Sequence, residues 1–158
     1  YIGSPDDKTK SNFTTFVSNL STACKIALPT CEMSIDILAD TGYKNRIHDL
    51  KSIDKYVDQI IIMAYDFYRP SSLQAGPVAP LRGKCGSSNY TSHQTCLEYD
   101  VTTSVSDISK AVSPSKLVLG VPFYGYEWQV TTPDYLSNAV PKTGAIASYK
   151  RIQNYRTS

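Results

Sequence analysis

The residues best suited to chemistry stand at the end of one apolar run. Residues 60–66 read IIIMAYD, so Met63, Tyr65 and Asp66 fall within the last four positions. An unbroken apolar stretch of this kind is typical of a strand that is buried on both faces of a parallel sheet. A phenol and a carboxylate at the end of such a strand can orient a polar substrate by hydrogen bonds. The alternative is structural: the two side chains only cap a neighbouring helix.

A second run repeats this pattern. Residues 116–128 read KLVLGVPFYGYEW, in which an apolar strand candidate leads through a Pro-Phe-Tyr-Gly turn to Tyr126, Glu127 and Trp128. These three side chains are candidates for binding a substrate. Tyr124, inside the turn, is predicted to pack rather than to contact a ligand.

The remaining polar residues offer weaker signals. His48 and His93 are far apart, neither belongs to a serine or cysteine partner motif, and both are predicted to lie on the surface. Asp40 stands at the end of another strand candidate, and a turn role before Gly42 is favoured over a position in a cleft.

The elements that must position these residues alternate between helix and strand. A helix start is predicted at Ser4, a good N-cap, and Pro29 closes that helix. The other predicted elements are a strand at 33–39, a short helix through Leu50, Ile53 and Val57, the strand at 60–66, a helix at 101–112, a strand at 117–121 and a helix at 147–155. Alternation of this kind indicates parallel strands joined by right-handed crossovers. The long irregular segment 69–99 is predicted to be functional.

Composition excludes several classes of protein. The chain has 158 residues, of which 41% are hydrophobic and 19% charged, enough for one core. The net charge of +2, without a basic run, argues against nucleic acid as a partner. No apolar segment approaches the roughly 18 residues of a membrane span. The chain opens on Tyr1 rather than Met and is interpreted as an excised or processed segment.

The cysteines indicate an oxidising compartment. Cys24, Cys31, Cys85 and Cys96 contain no C-x-x-C pair, so a zinc site is not expected. An even number of cysteines with local spacing favours disulfides, although the sequence leaves the three connectivities open. Free thiols in a cytosolic protein are the alternative. Sequons that begin at Asn12, Asn19 and Asn89 agree with a secreted protein or one of the secretory or lysosomal pathway.

Three motifs, in this order, resemble glycoside hydrolase family 18, which includes chitinases and chitobiase-like members. The segment 63–66 resembles its M-x-Y-D motif, 75–81 (AGPVAPL) resembles its A-P-L segment, and 120–126 (GVPFYGY) resembles its G-[IV]-P-x-Y-G turn. The resemblance implies an α/β fold, a partial (β/α)8 TIM barrel of parallel strands alternating with helices. Residues 1–158 would run from just after strand four to just after strand seven, with no separate second domain.

The family implies a reaction and a role for each candidate. Its members cleave β-1,4 bonds of N-acetylglucosamine-containing glycans, chitin or chitooligosaccharides, by substrate-assisted retaining catalysis. By resemblance, Tyr65 would hydrogen-bond the substrate acetamide, Asp66 would bind a sugar hydroxyl or the acetamide, and Met63 would line the −1 subsite. Trp128 would stack on a sugar or simply pack. The implied partner is an oligosaccharide together with the rest of the barrel, and no metal or organic cofactor is implied.

The sequence departs from the family in two places. The catalytic Glu of the D-x-x-D-x-D-x-E motif is absent, so the segment alone is expected to be inactive and to fold poorly. Tyr126 stands where many chitinases carry Arg, which leaves chitin, glycoprotein chitobiose and peptidoglycan open as substrates. One alternative is a catalytically inactive, lectin-like carbohydrate-binding member of the family. Another is an unrelated α/β domain whose strand ends mimic the motifs.

Overall fold

The structure, a computed structural model, describes residues 4–83 and 99–156. The helices are α1 (Asp7–Ala27), α2 (Leu50–Ile53), α3 (Val101–Ser109) and α4 (Tyr149–Arg156), and the strands are β1 (Ser34–Leu38), β2 (Gln59–Met63), β3 (Leu117–Gly120), β4 (Tyr124–Glu127) and β5 (Ala145–Ser148). The chain divides into two compact units. The first unit comprises Tyr1–Met63 and Thr102–Gly120, and the second comprises Ala64–Val101 and Val121–Ser158.

The sheet of the first unit is parallel, in the order β1-β2-β3. The central strand β2 is the apolar run, and its Ile60 and Ile62 are fully buried. Ile62 is the register partner of Ile37 in β1 and of Leu119 in β3. The predicted alternation of helices and parallel strands is therefore confirmed up to β3.

The N-cap of helix α1 lies two residues later than predicted. Asp6 rather than Ser4 is the N-cap, because its carboxylate accepts the N–H of Thr9 at 2.7 Å. Helix α1 ends before Pro29, as predicted. Cys24 near its C-terminus forms a disulfide with Cys31, with Cα atoms 6.0 Å apart. The expected disulfide chemistry is thus confirmed for these two cysteines, and the pairing that the sequence left open is Cys24 with Cys31. Cys85 and Cys96 lie outside the described residues.

His48 corrects a prediction. It is half-buried rather than on the surface, and its ring meets Phe13 of α1 edge-on at a centroid distance of 5.3 Å. The reason is that α1 packs on the segment that joins β1 to α2. His93 lies outside the described residues. Asp40 occupies a 3₁₀ turn, as predicted, where it accepts two hydrogen bonds from Arg46 at 2.6 and 3.0 Å.

The second unit contains a pair of strands that the sequence did not predict. Strands β4 and β5 are antiparallel, with Tyr124 opposite Ser148 and Glu127 opposite Ala145. A turn was expected at the first of these segments, and a helix from residue 147 at the second. The helix begins only at Tyr149, because the residues before it pair with β4. No helix within the described residues is long and apolar enough to cross a membrane.

Candidate active site

Asp66 has an unusual backbone conformation. It follows the end of β2 and has a φ of 59°, in the left-handed region. This region costs an L-residue roughly 1–2 kcal/mol, although aspartate visits it more readily than most residues because its short polar side chain can hydrogen-bond locally. The surrounding structure must therefore hold Asp66 in place.

Two phenols of β4 hold the Asp66 side chain. The hydroxyl of Tyr124 donates to Asp66 Oδ1 at 2.6 Å, and the hydroxyl of Tyr126 donates to the same oxygen at 2.7 Å. The two tyrosines lie two positions apart on a strand, so their side chains project from the same face. Within residues 4–83 and 99–156, no group donates a hydrogen bond to the second oxygen, Oδ2. The carboxylate is thus anchored through Oδ1.

The two phenols keep their protons at neutral pH. Burial raises the pKa of Tyr124, and its hydrogen bond to Asp66 raises it further. The same two causes, in the same order, raise the pKa of Tyr126. Both hydroxyls therefore remain neutral donors to Asp66 at neutral and mildly alkaline pH.

Four aromatic rings form a row of contacts, and two of them belong to the tyrosines that bond to Asp66. Tyr65 meets Tyr124 edge-on at a centroid distance of 6.5 Å, Tyr124 meets Tyr126 at 5.6 Å, and Tyr126 meets Trp128 at 6.0 Å. Edge-to-face pairs at these distances are favourable for aromatic rings. The Trp128 indole N–H donates to the carbonyl of Pro70 at 3.3 Å, which fixes the plane of that ring. These contacts orient all four rings of the row in the absence of a ligand.

The other two predicted site residues have different surroundings. Glu127 forms an ion pair with Arg151, whose Nε donates to Glu127 Oε2 at 3.1 Å. Strand alternation places Glu127 on the face of β4 opposite Tyr126. Met63 is the last residue of β2, opposite Leu38 and Gly120 in the first unit. The substrate-binding roles of Glu127 and Met63 stay predictions.

Tyr124 is the site residue that sequence reasoning missed. The sequence predicts a packing role for Tyr124, yet its hydroxyl makes the shorter of the two hydrogen bonds to Asp66. The signal was present in the alternation of aromatic residues at 124, 126 and 128, which is typical of one strand face.

A metal centre finds no support in the described ranges, since no group of three or more His, Cys, Asp or Glu side chains lies together there.

Gly144 gives a prediction about the support of this site. A Cβ at residue 144 would collide with the backbone of Pro70, the residue that accepts the Trp128 hydrogen bond. Backbone atoms cannot move aside cheaply, so Gly144→Ala is expected to lower the free energy of unfolding by about 1–3 kcal/mol. Urea denaturation measures this loss. Gly125→Ala is the matched control, because a Cβ there meets nothing within 4 Å; equal effects of the two variants would contradict the prediction.

Comparison with known proteins bears on the fold and the family. Probable chitinase 10 of Drosophila melanogaster is 29% identical over 153 residues, 92% of this chain and 6% of that protein. The class V chitinase of Arabidopsis thaliana is 30% identical over 123 residues, 76% of this chain and 30% of that protein. This chain thus spans less than a third of either relative.

The solved structures include a mutant class V chitinase from Nicotiana tobaccum in complex with NAG4. It matches with a TM-score of 0.79 at 22% identity, over 99% of this chain and 47% of that one. At such identity the likeness shows the fold alone. It confirms the predicted α/β class, a partial (β/α)8 TIM barrel.

The family model called Glycosyl hydrolases family 18 matches residues 2–157, nearly the whole chain. This match excludes the unrelated α/β domain that the motifs alone left open. The order and spacing of the motifs at 63–66 and 120–126 thus reflect common descent. The chain belongs to glycosyl hydrolases family 18.

Proposed function

We propose that this chain supplies the Tyr65–Asp66 part of the active site of a glycosidase. The intact protein would hydrolyse β-1,4 bonds of N-acetylglucosamine-containing glycans, chitin or chitooligosaccharides, with retention of anomeric configuration. Residues 1–158 would form one segment of its catalytic barrel. The observation that carries this proposal is the Asp66 carboxylate, which two neutral phenols anchor through Oδ1.

The chemistry starts with the substrate's own acetamide. Its carbonyl oxygen attacks the anomeric carbon while the glycosidic oxygen leaves with a proton from a general acid. The Tyr65 hydroxyl donates to the acetamide and holds it in the attacking orientation. Asp66 Oδ2 faces the acetamide and stabilises the positive charge that develops on it. Water then attacks the anomeric carbon from the side that the leaving sugar vacated. It gives its proton to the conjugate base of the general acid while the bond between the anomeric carbon and the acetamide oxygen breaks, so two inversions give net retention.

The general acid is not part of this segment. No carboxylates in the chain have the D-x-x-D-x-D-x-E spacing, so we assign the proton donor to another part of the intact protein. The segment alone is therefore expected to be inactive. The mechanism as proposed requires neither a metal nor an organic cofactor.

The substrate class is supported by relatives and by the aromatic row. Both named relatives are chitinases, and the tobacco structure is a complex with NAG4. Tyr126 and Trp128 belong to this row, and aromatic rings with a polar group can both pack against a sugar and hydrogen-bond to it. We propose chitooligosaccharides over glycoprotein chitobiose and peptidoglycan on this basis.

A secretory route is part of the same proposal. The Cys24–Cys31 disulfide is typical of oxidising compartments. The sequon residues Asn12 and Asn19 are both exposed on α1, so a glycan at either position would meet no folded core. Asn89 lies outside the described residues.

Incubation of the intact protein with chitotetraose distinguishes a hydrolytic enzyme from a lectin that only binds the sugar. We expect mass spectrometry to detect shorter oligomers. We also expect early ¹H NMR spectra to show that they are released as β-anomers. Saturable binding without cleavage would instead support the catalytically inactive, lectin-like alternative. Release of α-anomers would contradict retention, and the absence of both binding and cleavage would contradict the proposed function.

A further inference from the structure

The first unit contains a polar cavity of about 630 Å³. Its walls come from residues 7–15 of α1, from the segment 41–52, which contains the start of α2, and from Ala111 after α3. Every lining residue belongs to the first unit. None of the residues that line the cavity belongs to the candidate active site around Asp66, whose hydrogen-bonding residues are in the second unit.

Three hydrogen-bonding atoms on its walls lack a partner. Within the described residues, Thr14 Oγ1, Thr41 Oγ1 and His48 Nδ1 are buried and make no hydrogen bond. Thr41 is only 6% exposed, so bulk water does not solvate its hydroxyl. A buried polar group without a partner destabilises the fold, and a molecule in the cavity that bonded to it would offset that cost.

The charged residues that line the cavity favour an anionic molecule over a cationic one. The cationic lining residues are Lys10, Lys44, Arg46 and Lys51, and the acidic ones are Asp7 and Asp49. Four cations against two anions leave an excess of two positive charges. Asp40, just outside the lining, pairs with Lys44 at 2.9 Å and with Arg46 at 2.6 Å. Neither Lys10 nor Lys51 forms an ion pair within the described part of the chain.

The histidine is neutral in this setting. Burial lowers the pKa of His48, and the nearby Arg46 lowers it further. Its imidazole is therefore uncharged at pH 7 and can donate through Nδ1–H, as the two threonine hydroxyls can donate through O–H. Neutral hydrogen-bond donors beside cations are the chemistry that binds an oxyanion.

We propose that this cavity binds a small oxyanion. Thr14, Thr41 and His48 would donate hydrogen bonds to it, and Lys10 and Lys51 would supply the attractive charge. The anion would be either free, such as inorganic phosphate, or carried on a sugar, such as the carboxylate of glucuronate. The site is independent of the proposed glycosidase activity.

Calorimetric titration of the intact protein with phosphate, and separately with glucuronate, tests this site. Saturable binding at low ionic strength is expected for one or both. Thr41→Val, nearly the same size without a hydroxyl, should weaken binding about tenfold, and Lys51→Gln should weaken it several-fold. A response to phosphate only would assign a free tetrahedral anion, and a response to glucuronate would assign a sugar-borne carboxylate.

The controls come from α1, the helix that forms one wall of the cavity. Thr22→Val removes an exposed hydroxyl that already bonds to Ser18, and Lys8→Gln removes an exposed charge outside the cavity. Both should bind as the wild type does. Since Lys51 is exposed, its variant keeps the test valid if Thr41→Val folds poorly. The proposal fails if neither anion binds saturably, or if Thr41→Val and Lys51→Gln both bind as tightly as the controls.

Discussion

Replacing Tyr65 with Phe is expected to lower kcat of the intact protein on chitooligosaccharides by about 10²–10³-fold. The variant loses only the hydroxyl, so the ring keeps its edge-on contact with Tyr124. In the proposed mechanism that hydroxyl orients the acetamide, and its hydrogen bond strengthens as the acetamide attacks. KM should therefore change little while kcat falls. Initial rates on chitotetraose over a range of concentrations separate the two constants.

Tyr149→Phe is the matched control for this result. Tyr149 belongs to the second unit and is 68% exposed, so removal of its hydroxyl should leave both constants unchanged. A rise in KM at constant kcat would mean that Tyr65 contributes only to ground-state binding. An unchanged kcat would remove Tyr65 from the proposed chemistry.

Asp66→Asn is expected to lower kcat by a similar factor, about 10²–10³. Asparagine also tolerates the left-handed backbone conformation, and its amide oxygen can still accept the hydrogen bonds of Tyr124 and Tyr126. The variant therefore removes the negative charge opposite the acetamide and keeps the framework. Circular dichroism and thermal unfolding would establish that the fold is retained.

The control for the charge is Asp134→Asn, at an exposed aspartate of the second unit. It should leave kcat unaffected. If Asp66→Asn kept wild-type turnover with an intact fold, the carboxylate charge would have no part in the reaction. If Asp66→Asn and Asp134→Asn lowered kcat equally, the effect would be one of overall charge rather than of the site.

The parallel half of the fold could be predicted because its signals are local. The apolar run at β2 predicts a buried strand, and the apolar stripe that includes Val101 and Ile108 predicts a helix with a buried inner face. Helix α3 ends at Ser109, so the helix predicted at 101–112 extends too far. The capping residue of α1 was misplaced because Ser4 and Asp6 are both good caps, and only the geometry of the chain chooses between them.

The parts that sequence missed depend on contacts between distant residues. Strand β5 exists because its residues pair with β4, and nothing local to residues 145–148 distinguishes them from the start of the helix that follows. Tyr124 meets Asp66 across 58 positions of sequence, so its role becomes visible only in the folded chain. The same holds for the half-buried position of His48, which results from its packing against Phe13.

The most direct test of the central claim is a crystal structure of the intact protein with chitotetraose bound. The account predicts that the Tyr65 hydroxyl lies within hydrogen-bond distance of the acetamide carbonyl oxygen of one sugar. It also predicts that Asp66 Oδ2 lies next to the same acetamide, while Oδ1 keeps the hydrogen bonds of Tyr124 and Tyr126. An oligosaccharide whose acetamide groups contact neither Tyr65 nor Asp66 would contradict the account.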